Sequence, residues 1–303
     1  YNRSYLKMVE IKYILGPMRL PFLILTPACV SLGFGTALWT QGSVSSFQVI
    51  MVLVGAVAAH ISVNTFNEYF DFKSGLDFHT QRTPFSGGSG TLPANPHIAK
   101  HALVIALSAS AVVVGIGLYF LIIRGPALLA IGIPGLFLLI FYTPWIAYNP
   151  YICLIAPGLG FGLFMVLGTH FALTGSYNWT SLVASMIPFF LVNNLLLLNQ
   201  FPDVEADRAI GRKHFPIVIG RRASSLLYIG FQLMAYLILI WGVYNQYLPK
   251  ASLLGLATAI LAIPVSISSY RNAKNVKKLI PSMGMNVAIN ILTPILVSVG
   301  LII

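Results

Sequence analysis

The chain has 303 residues, of which 57% are hydrophobic and 8% are charged, and its formal net charge is +11. Soluble globular proteins carry about a quarter of charged residues, so this composition excludes an ordinary soluble domain. The positive charge does not indicate nucleic-acid binding, because the sequence contains no soluble basic domain.

Nine apolar runs of about twenty residues predict membrane-spanning helices. We interpret the first run as a span rather than a signal peptide, because it is long, lacks a following small-residue cleavage site and is followed by eight similar runs. We therefore expect an all-α integral membrane protein, with residues 1–303 forming one transmembrane domain. In chain order the runs lie roughly at 17–40, 44–70, 99–123, 126–146, 152–172, 181–201, 221–244, 249–269 and 282–303.

The basic residues indicate how these spans are oriented. With nine spans, 16 of the 18 basic residues fall on one face, and only Arg124 and Lys250 fall on the other. The positive-inside rule then predicts that the N-terminus and the basic loops are cytoplasmic. The segments on this face contain Arg3, Lys7, Lys12 and Arg19; Lys73, Arg82 and Lys100; Arg208, Arg212, Lys213, Arg221 and Arg222; and Arg271, Lys274, Lys277 and Lys278.

Six of the seven acidic residues fall in two short segments at the ends of predicted spans, both on the basic face. The first segment, NTFNEYFDFKSGLD at 64–77, contains Glu68, Asp71 and Asp77. The second, NQFPDVEADRAIGRK at 199–213, contains the remaining three. Ionisable residues at membrane spans are costly, so this clustering indicates a functional site.

The two segments share an Asn-x-x-x-Asp pattern and so predict an internal pseudo-repeat. Asn199, Asp203 and Asp207 are spaced i, i+4 and i+8, which places all three on one face of a helix. Asn67 and Asp71 repeat the first step of this spacing, 132 residues earlier. The first copy then departs from the second, because its next carboxylate is Asp77 at i+10.

Facing carboxylate and amide oxygens of this kind are ligands for Mg²⁺, which also shares its coordination shell with substrate phosphates. Basic residues follow both acidic segments closely, and together the two charges suit a metal–diphosphate complex. Two further features stay open at this point. The glycine-rich FSGGSG at 85–90 is either a phosphate-binding loop or a linker, and Arg19 is either an anion ligand or a topology residue.

The motifs NEYFDFKSGLD (67–77) and DVEADRAIGRK (203–213) resemble the two aspartate-rich motifs of the UbiA superfamily of intramembrane prenyltransferases. The Gly75-x-Asp77 ending is closest to the menaquinone-pathway branch, which prenylates 1,4-dihydroxy-2-naphthoate. The resemblance covers most of the chain and includes Arg19 and the Tyr142-Thr143-Pro144 sequence. The chain departs from the family at Glu68, where an Asp is usual, and after Lys213, where the sequence continues His-Phe-Pro.

The resemblance implies nine transmembrane helices in a horseshoe around a central cavity, and Mg²⁺ ions that bridge both motifs to the diphosphate of a polyprenyl donor. It implies an aromatic acceptor for quinone biosynthesis. By position, the catalytic residues would be Asp71, Asp77, Asp203 and Asp207. The Mg²⁺ ligands would be Asn67, Asp71, Asn199, Asp203 and Asp207. The diphosphate would contact Arg19, Lys73, Arg82, Arg212 and Lys213. The substrate pocket would include Asn64 and Tyr142.

Three hypotheses follow for the activity. The first is Mg²⁺-dependent prenyl transfer to an aromatic acceptor at the cytoplasmic face of the cell membrane. The second keeps the polyprenyl diphosphate donor but replaces the acceptor by a prenylated glycerol phosphate, as in archaeal-type lipid synthesis. The third is a cation-coupled transporter, which would carry its carboxylates at mid-depth in the bilayer on broken helices.

Overall fold

The computed structural model describes residues 14–303, and within this range the regular structure is entirely helical. Eight helices in this described part of the chain are long and apolar enough to cross a membrane, and a ninth is shorter. In chain order they are α1 (Gly16–Gln41), α2 (Ser46–Ser74), α3 (Pro96–Arg124), α4 (Pro126–Phe141), α5 (Pro150–Thr174), α6 (Trp179–Ala209), α7 (Arg221–Tyr244), α8 (Lys250–Arg271) and α9 (Val276–Ile302). The predicted all-α fold is confirmed. Arg3, Lys7 and Lys12 lie outside the described residues.

Two helices near the acidic motifs differ from the apolar runs that predict them. α6 continues past the apolar run to Ala209, so both aspartates of the second motif lie on helix. α4 ends earlier, at Phe141, because Pro144 follows three residues later and a helix does not continue into a proline. The chain then turns, and α5 begins with Pro150 after Asn149, whose side chain accepts hydrogen bonds from the first two backbone N–H groups of the helix.

α6 is the central helix of the bundle. It packs against α1, α5, α7 and α9, and it is the most buried of the long helices. The largest hydrophobic cluster is built around its residues Ile187, Leu191 and Leu198, with side chains from α7, α8 and α9. The second acidic motif therefore lies on the most buried of the long helices.

A stretch of π-helix interrupts α5 from Gly158 to Phe164. Here α5 lies directly against α6, because Gly158 and Gly162 have no side chain to keep the backbone of Phe189 away. The Gly158 N–H also donates to Oδ1 of Asn193 at 2.6 Å. Such π-bulges are common at functional sites, and this one turns Phe161 toward the interior of the bundle.

A cavity of about 500 Å³ lies between the helices and is lined by α1 to α6 and α9. Helices α7 and α8 are absent from its wall and pack behind α6 and α9. Most of the lining is apolar, but one end collects the polar residues of both acidic motifs. The fold therefore encloses a long apolar space that ends in a charged site.

Candidate active site

Arg212 joins the two acidic motifs at the polar end of the cavity. Its Nη1 donates to Oδ1 of Asp207 at 3.0 Å, and its Nη2 donates to Oδ1 of Asp71. All three side chains are about nine-tenths buried. The two motifs that the sequence pattern pairs are therefore adjacent in the structure, and the guanidinium of Arg212 lies between their carboxylates.

The charge state of Arg212 follows from this contact. Burial by itself favours the neutral guanidine, but the carboxylates of Asp71 and Asp207 more than offset it and raise the pKa of Arg212 above its usual range. Arg212 is therefore a permanent cation in this cluster.

His214 is a neighbour of the cluster that the sequence motifs do not single out. It is buried, it lines the cavity, and its Nε2 donates to Oδ2 of Asp207 at 3.1 Å. The sequence signal for it was the departure from the family pattern after Lys213. His214 and Arg212 together fix both oxygens of Asp207.

Arg19 and Asn67 also meet in the wall of the cavity. Arg19 Nη2 donates to Oδ1 of Asn67 at 3.2 Å, and Nδ2 of Asn67 donates to Oγ1 of Thr143 at 3.1 Å. Arg19 also donates from Nε to Glu68, at 2.7 Å. The predicted anion ligand Arg19 and the predicted metal ligand Asn67 therefore line one wall of the cavity and contact each other.

Asn64 and Tyr142, the predicted substrate-pocket residues, both line the cavity. Nδ2 of Asn64 donates to the backbone oxygen of Met18 at 3.0 Å, which ties α2 to the start of α1. Tyr142 packs beside Ile146 and Cys153 at the turn between α4 and α5. The two side chains therefore belong to the wall of the pocket.

Asp77 lies in a short 3₁₀ turn, Leu76–Phe78, just beyond α2. Gly75 ends α2 in a left-handed conformation with φ +81°, which explains why the first motif departs from helical spacing after Asp71. Burial raises the pKa of the Asp77 carboxyl to about 7; Glu68 and Asp71 act in the same direction, and Arg19 opposes them. Asp77 lines the cavity, and its Oδ2 is buried without a hydrogen-bond partner within residues 14–303.

Asn199 and Asp203 of α6 also belong to this site. Both line the cavity one helical turn apart, and Oδ1 of each is buried with no hydrogen-bond partner in the described part of the chain. Buried acceptors of this kind require a partner, and hard oxygen atoms suit Mg²⁺. The donor set therefore fits the ion, although no group of three His, Cys, Asp or Glu side chains in residues 14–303 is close enough to form a cage alone.

Three of the predicted diphosphate ligands lie outside the cavity wall. Lys73 and Lys213 are exposed, and the ammonium of Lys73 lies 5.9 Å from the centre of the Tyr69 ring. The exposed Arg82 packs against Gly90, which has room for it because it carries no side chain. The structure thus brings Arg19 and Arg212 to the cavity and leaves these three cations at the surface near the same end.

The family assignment rests on a sequence match that spans the bundle. The model of the UbiA prenyltransferase family matches residues 25–288, which includes both acidic motifs, all of α2 to α6, and parts of α1 and α9. The chain belongs to the UbiA prenyltransferase family. It is a multi-pass membrane enzyme that transfers prenyl groups, which decides against the cation-coupled transporter.

Three similar proteins are named 1,4-dihydroxy-2-naphthoate octaprenyltransferase. The one from Bacillus subtilis is 28% identical over 225 residues, covering 73% of this chain and 70% of the relative. The one from Mycobacterium leprae is 27% identical over 277 residues, covering 90% and 86%. The one from Mycobacterium tuberculosis is 27% identical over 264 residues, covering 84% of each chain. The predicted resemblance to the naphthoate branch is confirmed.

Solved structures share the fold at lower identity. The apo structure of a UbiA homolog from Aeropyrum pernix K1 has a TM-score of 0.70 at 17% identity and covers 91% of this chain and 96% of its own. A UbiA homolog from Archaeoglobus fulgidus, bound to DMAPP and Mg²⁺, has a TM-score of 0.66 at 15% identity and covers 95% and 99%. A digeranylgeranylglyceryl phosphate synthase has a TM-score of 0.66 at 16% identity and covers 96% and 98%.

Proposed function

We propose that this prenyltransferase moves a polyprenyl group from polyprenyl diphosphate to 1,4-dihydroxy-2-naphthoate or a close aromatic relative, with Mg²⁺ bound, in quinone biosynthesis. The observation that carries the proposal is the apolar cavity of about 500 Å³ that ends in a buried cluster of acids and arginines. A polyprenyl diphosphate has this division into a long apolar tail and a charged head. The names of the three relatives support the aromatic acceptor.

The predicted Mg²⁺ ligands are Asn67, Asp71, Asn199, Asp203 and Asp207. Oδ1 of Asn199 and Oδ1 of Asp203 lack a hydrogen-bond partner among residues 14–303 and are available for this role, whereas Asp71 and Asp207 would exchange contacts with Arg212 for contacts with metal. When bound, Mg²⁺ would neutralise charge on the diphosphate oxygens and so make diphosphate a better leaving group.

The chain's own cations would bind the diphosphate. Arg19 and Arg212 line the cavity, so their guanidinium groups would contact diphosphate oxygens directly and hold the charge that develops on the leaving group. Lys73, Arg82 and Lys213 would contact a diphosphate that projects beyond the cavity wall, or draw the anion toward it.

The transfer step breaks the bond between C1 of the prenyl chain and the diphosphate oxygen, and the electron pair leaves with diphosphate. The apolar wall excludes water from the allylic cation that results, and the ring of Tyr142 offers it a negative face. A carbon of the acceptor ring then forms the new C–C bond with C1. Aromaticity returns when that carbon loses its proton or, at C2, its carboxylate as CO₂.

The membrane orientation is part of the proposal. The basic residues favour one face, and we propose that this face, with the polar end of the cavity, is on the cytoplasmic side of the cell membrane. Both soluble components of the reaction, the diphosphate product and the aromatic acid, would then exchange with the cytoplasm.

The test is a reaction with purified chain in lipid nanodiscs and one polyprenyl diphosphate. A panel of acceptors would contain 1,4-dihydroxy-2-naphthoate, 4-hydroxybenzoate and a prenylated glycerol phosphate, with products identified by mass spectrometry. We expect a prenylated naphthalene product, whose mass also tells whether the carboxyl group is lost, and diphosphate release that stops when EDTA removes Mg²⁺. Turnover of the glycerol phosphate alone would overturn the acceptor assignment.

Variants in the same assay test the site. Asp71→Asn and Asp203→Asn should each lower kcat by about a hundredfold or more, as expected when transition-state charge loses a stabilising partner. Glu205→Gln is the matched control, because the Glu205 side chain is 71% exposed and pairs only at the surface with Arg208 and Arg221. Full activity in both aspartate variants would contradict the placement of the site.

A further inference from the structure

Glu68 is the one acid of the first motif that does not line the cavity. Its side chain is fully buried, and its two oxygens accept three hydrogen bonds. Oε1 accepts from Nε of Arg19 at 2.7 Å and from the backbone N–H of Ser89 at 2.7 Å. Oε2 accepts from the hydroxyl of Ser89 at 2.8 Å. A carboxylate satisfied in this way faces away from the donor, so any effect on the reaction acts through other residues.

The first residue that Glu68 holds is Arg19. Arg19 has φ +51°, a left-handed conformation that is uncommon for a residue with a side chain, and it lies at the junction of two 3₁₀ turns. Such a conformation persists when surrounding contacts fix it. The ion pair to Glu68 and the hydrogen bond to Asn67 are those contacts, and they direct the guanidinium along the cavity wall.

The second element that Glu68 holds is the irregular loop at 85–90. Gly87, Gly88 and Gly90 all have φ between +72° and +83°, so the chain here has little intrinsic order of its own. The three bonds of Glu68 include two to Ser89 in this loop. At Gly88 the backbone comes so close to Glu68 and Asp77 that a side chain would crowd both carboxylates.

The loop and Arg19 form one wall of the polar end. Arg19, Phe85, Ser86 and Gly88 line the central cavity and also line an adjoining, more open pocket of about 620 Å³. They therefore separate the two spaces. Both parts of this wall are fixed by the same carboxylate.

We propose that Glu68 is a positioning residue that locks the glycine-rich loop 85–90 and Arg19 together as the wall over the donor's diphosphate. The proposal rests on the proposed function for the place of the diphosphate. It assigns a role to the loop: Glu68 holds the loop's backbone against the site, and the loop needs no charged side chain of its own.

Two variants separate this role from a general effect on folding. Glu68→Gln keeps the shape of the side chain but removes its charge. It also places an NH₂ group where Arg19 and Ser89 donate hydrogen bonds and need an acceptor. Ser89→Ala leaves the ion pair of Glu68 and Arg19 intact and removes the hydroxyl bond from the loop to Glu68, together with the contacts of that hydroxyl to the side chain and backbone N–H of Thr91. Glu205→Gln again serves as the control, since its side chain lies at the surface.

The experiment measures hydrogen–deuterium exchange and steady-state kinetics of the full chain in nanodiscs. For Glu68→Gln we expect faster exchange in peptides covering 83–90 and a KM for the diphosphate donor raised about tenfold or more, with the acceptor KM changed less than twofold. For Ser89→Ala we expect the same faster exchange with a smaller rise in donor KM. Glu68→Asp, which keeps the charge, should recover most of the donor KM.

Unchanged loop exchange in Ser89→Ala would overturn the proposal, even if Glu68→Gln fails to fold. Equal rises in donor and acceptor KM for Glu68→Gln would also overturn it, because a collapsed site affects both. The exchange measurement needs no substrate, so its result stands apart from the acceptor panel. A failure of the proposed acceptor chemistry would therefore be distinguishable from a failure of the loop anchor.

Discussion

At the scale of single residues, the site depends on how a few buried charges compensate one another. Arg212 contacts Asp71 and Asp207, one carboxylate from each acidic motif, in a cluster largely closed to water. Two buried carboxylates without a cation would repel each other and lack solvation. Arg212 thus provides the positive charge that allows both motifs to meet in the absence of other ligands.

Replacing Arg212 by Gln should make Mg²⁺ a stronger stabiliser. The variant leaves Asp71 and Asp207 without their cation, so we expect a lower melting temperature than the wild type in EDTA. The two uncompensated carboxylates should bind Mg²⁺ more tightly, and Mg²⁺ should raise the variant's Tm by more than it raises the wild type's. Thermal unfolding in detergent, with and without Mg²⁺, measures both shifts, and equal shifts would contradict this role.

Asp77 should make stability depend on pH in a defined direction. Its folded-state pKa is raised to about 7 from a usual value near 4, so the folded chain binds the proton more tightly than the unfolded chain. Stability from this group is therefore fully present below about pH 4 and is lost as pH rises to about 7. Asp77→Asn lacks this titration, so the Tm difference between variant and wild type should grow from pH 4 to pH 7 and then level off.

The same comparison of Asp77→Asn with the wild type is made without donor and without Mg²⁺. A Tm difference that is constant across pH 4 to 7 would show that Asp77 does not titrate there.

At the scale of helices, arginine side chains join neighbouring helices at both ends of the bundle. At the end opposite the acidic motifs, Arg124 is the last residue of α3, and its side chain contacts α5. Its Nε donates to the backbone oxygen of Ala172 at 2.8 Å, and its Nη2 donates to that of Leu173 at 2.6 Å. These carbonyls belong to the last turn of α5 and have no partner within the helix. Nη2 also donates to Oε1 of Gln48 on α2, at 2.8 Å.

Arg124→Ala should destabilise the bundle without changing the chemistry. It removes three hydrogen bonds of a charged donor, and we expect a loss of stability on the order of 2 kcal/mol. Because Arg124 is remote from the acidic motifs, kcat per folded molecule should stay the same. Lys250→Ala is the matched control on the same predicted face, since Lys250 is exposed and should leave the Tm unchanged. A large drop in kcat for Arg124→Ala would show that this end communicates with the site.

The π-helical stretch of α5 shows how an element can shape a pocket. Gly158 and Gly162 allow close contact with α6, and this contact sets the position of Phe161 in the cavity wall. Phe161 packs edge-on against His60 of α2 at 4.6 Å between ring centres, and Nδ1 of His60 lies 2.8 Å from the hydroxyl of Thr26 on α1. His60 therefore joins three helices in the cavity wall, as a packing residue with a hydrogen bond.

At the scale of the whole molecule, the apolar surface and the basic loops define how the protein sits in a bilayer. The nine apolar helices within residues 14–303 and a one-sided distribution of basic residues predict that the acidic motifs face the cytoplasm. Lys277 and Lys250 are exposed residues near opposite ends of the bundle, at the start of α9 and of α8. They offer a direct measure of this orientation.

A membrane-impermeant maleimide should label Lys250→Cys in intact cells and Lys277→Cys only after the membrane is broken. The native Cys29 and Cys153 are buried, so the wild-type chain should give a low background. Labelling of Lys277→Cys in intact cells would reverse the proposed orientation and place the site on the outer face.

The sequence by itself determined the all-α membrane fold class, and it predicted nine spans and the meeting of two acidic motifs. A long apolar segment predicts a membrane helix, because a backbone group without a hydrogen bond is too costly in hydrocarbon. Acidic residues are rare in such a chain, so a cluster of them indicates a functional site. Tertiary structure decided what each charge contacts. Sequence spacing placed Asp203 and Asp207 on one helical face, but only packing brought Arg212 between Asp71 and Asp207.

Glu68 and the surface cations illustrate why the rest needed the fold. Nothing local distinguishes Glu68 from Asp71, three residues away, yet one turns to the loop and the other to the cavity, because side-chain direction depends on the helix's neighbours. Lys73, Arg82 and Lys213 lie as near to the acidic residues in the sequence as Arg212 does, but of these four only Arg212 lies in the wall. Charge and spacing are local properties, whereas the partner of a charge is set by contacts between residues far apart in the chain.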